Sequence, residues 1–289
     1  MISLIGGVTL FSTIEVVSKT IGWRVDPVLL TFIRFFITGI VLLIISIPLL
    51  RLRLTRLGLK DYGIFCLNGF IGITLALPIF HFAVLTMGKA SSSAVVFCVN
   101  PVFAIILARF INGEAWSVRK WAAVTLGVSG VSLFAYESGA FSTASVRGLG
   151  LMLLAAFFFA MSICISKRVV AGYGAMLLMG FSALAGSLML LPVALFRLQI
   201  NDIHTVAGAW LPVLFLSLAG TTCAYVLYYF GLINTSAQKG SMAFFLKPVL
   251  ASLLAVLVLG ETINMYMVLG TACILSGLFI GLEKKAPVI

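Results

Sequence analysis

A chain of 289 residues that is 62% apolar and only 9% charged, with a mean hydropathy of +1.22, lacks the polar surface to cover a water-soluble globule, which carries roughly 25% charged residues. It reads as an all-α integral membrane protein. The net charge of +11 does not speak for nucleic acid, since most basic residues flank apolar segments, where the positive-inside rule puts them.

A membrane-crossing helix needs about 20 mostly apolar residues, and ten such segments are expected. The first five cover roughly 2–21, 27–49, 61–85, 91–111 and 116–136. The second five cover roughly 148–168, 174–196, 207–231, 236–259 and 263–282. Residues 1–21 lack a basic start and a cleavage site, so the first segment is expected to stay as a helix rather than be removed. Gly, Pro or charged residues mark most of the short connections, and the polar stretch Glu137 to Arg147 joins two halves.

The halves repeat each other. Asn100-Pro101, Gly113-Glu114 and Ser129-Gly130 return 147 residues later as Lys247-Pro248, Gly260-Glu261 and Ser276-Gly277. Phe11, Ser18 and Lys19 match Phe159, Ser166 and Lys167 at an offset of 148. Such fixed-period similarity sets the architecture: two five-helix units, 1–140 and 141–289, forming one body. Because five is odd, the second unit enters the membrane upside down, giving an inverted-topology repeat. With the N-terminus inside, twelve Lys and Arg face the cytoplasm and five face outward, so both termini are expected in the cytoplasm of a cell whose inner (plasma) membrane holds the chain.

These ten helices in inverted repeats, with Phe11-Ser12-Thr13 and Lys19 in helix 1, Asn100-Pro101 in helix 4 and Gly-Glu after helices 4 and 9, resemble an EamA-type member of the drug/metabolite transporter (DMT) superfamily. The resemblance covers essentially the whole chain. It implies a central cavity built by helices 1–4 and 6–9, with helices 5 and 10 peripheral. It also implies secondary transport, very often export, of amino acids or other small metabolites. Family members often carry Trp near the position of Phe11, so no particular substrate carries over.

Ionisable residues inside a membrane are costly and mark sites by default. Glu15 in helix 1 and Arg34 in helix 2 fall about 5 and 6 Å outside the midplane, and adjacent antiparallel helices would bring them together. Glu15 then holds a proton or a cationic group, and Arg34 is its counter-ion or holds a carboxylate. The alternatives are a purely structural pair, or a pairing of Glu15 with Lys19 one turn along. At the repeat offset their counterparts are Ile163 and Phe181, so the charges belong to one half only.

Lys247 precedes Pro248 and Asn100 precedes Pro101 at matched midpoints. A proline leaves a carbonyl without its donor and breaks the helix where transporters often place a site. Lys247 is read as attracting an anionic group, Asn100 as bonding substrate, and Pro101 and Pro248 as gating kinks. His81, after Pro78, is a candidate proton relay or a satisfied interfacial residue. Tyr225 and Tyr229 share a helix face and, with Phe80 and Phe82, could stack on an aromatic or quaternary-ammonium group. Tyr228 and Tyr229 are more simply read as an aromatic belt. Glu114, Glu261 and Ser91-Ser92-Ser93 suggest helix caps.

No metal-binding spacing, no CxxC and no P-loop occur, so no cofactor and no ATP coupling are expected. The partners are then a small-molecule substrate and the lipid bilayer, with proton coupling through Glu15 or simple facilitated flux. Two copies joined through helices 5 and 10 are a candidate assembly. The alternatives are an uptake permease for a choline-like cation and, from another class, a membrane scaffold or lipid scramblase. An intramembrane enzyme would need a nucleophile with a base or paired carboxylates, and Glu15 is the only acid deep in a helix.

Overall fold

The computed structural model describes residues 2–48, 57–87, 90–137, 146–198, 206, 208–260 and 265–281, and among these all regular structure is helical. Seven helices are long and apolar enough to cross a membrane. They are α1 (Ile2–Ile21), α2 (Pro27–Ile45), α3 (Leu59–Thr86), α6 (Val146–Tyr173), α7 (Ala175–Arg197), α8 (Trp210–Ile233) and α9 (Ala237–Leu259). Between α3 and α6 lie α4, in two pieces (Ala90–Phe97 and Asn100–Ile111), and α5 (Val118–Glu137); α10 (Met265–Gly281) follows α9.

The principal pairings exchange the halves. α5 packs on α10, α2 on α7, α3 on α6 and α1 on α8. Lipid tails give helices no hydrophobic reason to associate, so close approach over small residues does the work. A Cβ on Gly39 would stand 2.8 Å from the Leu184 amide nitrogen, and one on Gly277 would stand 2.7 Å from the Ala123 carbonyl. Those two contacts seat α2 on α7 and α10 on α5.

Landmarks recur along the chain. A π-helical turn occupies Phe70–Leu75 in α3 and another occupies Leu218–Cys223 in α8, 148 residues on. Gly113 and Gly260 both take a φ of 68° after α4 and α9, 147 residues apart. Lys19 donates to the Met87 carbonyl just past the end of α3 at 2.5 Å. Its counterpart Lys167 donates to the Leu232 and Ile233 carbonyls at the end of α8, each at 3.0 Å. A cation at a helix C-terminus satisfies orphan carbonyls and the helix dipole together.

The interruptions have local causes. In α1 the Ser12 and Thr13 hydroxyls donate to the Val8 and Leu10 carbonyls, both at 2.8 Å, and such back-bonding bends a helix. In α4 and α9 a tight turn precedes each proline: residues 98–99 before Pro101, and the 3-10 turn Ala243–Phe245 before Pro248. The proline ring collides with the carbonyl four residues back, here Phe97 and Phe244.

Candidate functional site

α1, α2, α3, α8 and α9 converge on a buried charged cluster. Glu15 Oε1 and Lys247 Nζ form an ion pair at 2.5 Å, with side chains 0% and 3% exposed. This corrects the expected pairing of Glu15 with Arg34. The break at Ser12-Thr13 and the turn before Pro248 set the helix segments that carry Glu15 and Lys247. The Lys247 ammonium also lies over the rings of Phe97 and Phe80, at 4.6 and 5.1 Å.

Arg34 turns elsewhere. Its Nε and Nη2 donate to Thr221 Oγ1 at 3.1 and 2.7 Å, and its Nη1 meets His81 Nε2 at 2.5 Å. Thr221 lies in the π turn of α8, where its own hydroxyl donates to the Leu216 carbonyl five residues back. A guanidinium only donates, so His81 Nε2 is the acceptor. The proton therefore sits on His81 Nδ1, which faces Ser18 Oγ at 3.4 Å. His81 is fully buried within this network rather than resting at the interface.

The cluster borders a small cavity of about 20 Å³. Its wall is Arg34 with Phe11, Phe80, Phe97, Phe159, Tyr225 and Phe244, plus Ile14 and Leu77. Helices α1–α4, α6, α8 and α9 all contribute. Phe11 stacks on Phe244 with centroids 5.6 Å apart, and Tyr225 meets Phe11 edge-on at 4.8 Å. That volume holds about one water molecule.

Of the residues singled out from the sequence, Glu15, Lys247, Arg34, His81 and Tyr225 gather here. Asn100 is fully buried, and neither atom of its amide finds a hydrogen-bond partner among the described residues. Gln238 is buried with both amide atoms unpartnered in the same sense. Tyr228 and Tyr229 are buried in the core, which overturns the aromatic-belt reading, and the Arg197 guanidinium lies over the Phe82 ring at 5.4 Å. Glu114 caps α9, accepting from the Ala237 and Gln238 amides at 2.6 and 3.3 Å. It borders a cleft of about 770 Å³ with Asn112, Lys167, Arg168, Thr235 and Ser236. Glu261 and His204 lie outside the described residues, as do the side chains of Ser91 and Ser92.

A second polar network escaped sequence reading. Asn68 donates to Ser182 at 3.1 Å and accepts from Ser162 and Ser166 at 2.9 and 3.2 Å. Ser166 also meets the Tyr229 hydroxyl at 2.8 Å. At an offset of 148, Ser166 answers Ser18, Tyr229 answers His81 and Ser182 answers Arg34. The shared π turns fix that offset through α3 and α8, so the counterpart of Arg34 is Ser182 rather than Phe181. The same spacing was the one available signal for this network.

The model of the EamA-like transporter family matches the chain twice, over residues 1–136 and 146–282. An uncharacterized transporter of Clostridium kluyveri is 29% identical over 96% of this chain and 91% of its own. The uncharacterized transporter YetK of Bacillus subtilis is 26% identical over 98% and 87%. A WAT1-related chloroplastic protein of Arabidopsis thaliana is 26% identical over 66% of this chain and 48% of its own. A crystal structure 20% identical in sequence superposes with a TM-score of 0.74, covering 97% of this chain and 95% of the other, which speaks for the fold. With apolar helices throughout and both halves matched, the chain belongs to the EamA-like transporter family of the drug/metabolite transporter superfamily, as a multi-pass membrane protein.

Proposed function

We propose that this chain is a secondary transporter that moves small organic solutes, amino acids and related compounds among them, by alternating access around the aromatic cavity. One observation carries the reading: most of the cavity wall is built from matched positions of the two halves. Phe11 and Phe159, Leu77 and Tyr225, and Phe97 and Phe244 stand 148, 148 and 147 residues apart. A cavity on the axis between two repeats is where inverted-repeat transporters hold cargo. In this reading the chain crosses the inner (plasma) membrane ten times, in two inverted units, 1–140 and 141–289, with both termini cytoplasmic.

A cavity for one water corresponds to an occluded conformation. The π turns of α3 and α8 and the turns before Pro101 and Pro248 supply bending points beside it. Glu15 is the coupling group, because a proton on its carboxylate would break the pair with Lys247. Export is the direction the family resemblance implies. The choline-like cation fares worse, since the buried Arg34 guanidinium lines the cavity and Phe80 and Phe97 already face the Lys247 ammonium.

The test is counterflow in proteoliposomes with labelled amino acids and small carboxylates, without ATP, for wild type and Glu15→Gln at two pH values. Saturable flux whose pH dependence disappears in Glu15→Gln is the expected result. Absence of saturable flux for every solute would sink the reading and revive the scaffold or scramblase.

A further inference from the structure

Resting on the transporter reading, we propose that the cargo of the central cavity is an organic anion of single net charge, a monocarboxylate with an aromatic or similarly apolar body. The argument is a count of buried charge. Glu15 and Lys247 form an ion pair and cancel. His81 accepts from Arg34 and is neutral. Arg34 is left over: it is fully buried, and all its hydrogen bonds run to neutral partners, the Thr221 hydroxyl and the His81 ring. No carboxylate among the described residues forms an ion pair with it. The cluster therefore carries one net positive charge inside the protein.

A buried charge without a counter-ion is costly, whereas a paired and hydrogen-bonded one is tolerated. Arg34 lies on the cavity wall, so a ligand there is the group that can neutralise it. A carboxylate suits a guanidinium that also serves as a planar donor. A zwitterion would leave the net charge unchanged, and a cation would double it. The rest of the wall is aromatic but for Ile14 and Leu77, and it offers ring faces and edges to an apolar body and few polar partners. The rings must part to admit it, as the cavity now holds about one water.

Three probes share one aryl body and differ in charge alone: 3-phenylpropionate (−1), phenylalanine (0) and phenethylamine (+1). Equilibrium binding to the detergent-purified full chain is measured for each, followed by counterflow in proteoliposomes. The expected result is 3-phenylpropionate bound at least about tenfold tighter than phenylalanine, with phenethylamine weakest. Arg34→Gln should bring the first two within about threefold of each other. Should Arg34→Gln fail to fold, Arg34→Lys should keep the order anion, zwitterion, cation, with a smaller gap. Phenylalanine or phenethylamine binding tightest, a preference that survives Arg34→Gln, or no binding of any probe would overturn the proposal. Flux of phenylalanine without flux of the anion would overturn it and leave the transporter reading intact. The predicted binding order with no flux of any probe would support the charge assignment and count against transport.

Discussion

Glu15 and Lys247 meet at 2.5 Å across α1 and α9, sealed from solvent and 232 residues apart in sequence. Breaking a buried pair by removing one partner leaves a stranded charge, whereas removing both leaves none. Glu15→Gln and Lys247→Met alone should each destabilise the fold by about 3–5 kcal/mol. The double variant should recover most of that loss. Thermal unfolding in detergent reads the difference, and a double variant as unstable as the sum of the singles would show that the two residues act independently.

Thr221 accepts twice from Arg34. Thr221→Val keeps the shape and removes the acceptor, at an expected cost of about 1.5–3 kcal/mol, the range for hydrogen bonds to charged groups. Thr221→Ser should stay near wild type. The midpoints of the two variants in one detergent decide, and equal midpoints would mean the hydroxyl contributes nothing.

Gly39 has no room for a side chain, since Leu184 backbone atoms lie 2.8 and 3.0 Å from where its Cβ would be. Gly39→Ala should force α2 off α7 and cost about 1–3 kcal/mol, as overpacking does. Gly63, with nothing within 4 Å of its Cβ position, provides the control: Gly63→Ala should be neutral or slightly stabilising. A neutral Gly39→Ala would mean the α2–α7 contact is looser than its geometry.

The unpartnered amide of Gln238 is fully buried on α9, one turn from the buried Ser241. Leaving the amide without a partner costs about 1–3 kcal/mol, a strain relieved if α9 moves to let water in. Gln238→Cys and Ser241→Cys, in a chain with its five native cysteines replaced, should react with a membrane-impermeant thiol reagent. Labelling should slow when the cargo site is saturated. A variant with intact flux that never labels would remove α9 from the route.

Much of the fold was legible because membrane crossing imposes a length and a composition that ordinary helices lack, and because the duplicated landmarks kept their spacing. The membership of the site was legible for a related reason: a charge such as Glu15, Arg34 or Lys247 at membrane depth is too costly to be incidental. Which charge meets which was not. That depends on how each helix is rotated about its axis, and here the rotation is set by the Ser12-Thr13 break, the turn before Pro248 and the π turn that presents Thr221. Of these only the proline marks itself in the sequence, and it gives the break without the rotation. Tyr228 and Tyr229 read as a belt because their distance from the helix end was visible while their burial against Phe244 and Ser166 was not. The hydroxyl network around Asn68 was hidden because Ser and Asn are cheap enough in a membrane to attract no notice singly.

The closely set rings of Phe11, Phe97, Phe159 and Phe244 also determine what this conformation does to the membrane around it. A space of about 20 Å³ has no room for an ion with its hydration shell, and the rings offer a small cation no oxygen ligands to replace that shell. In this conformation a hydrated ion does not fit the space between these rings.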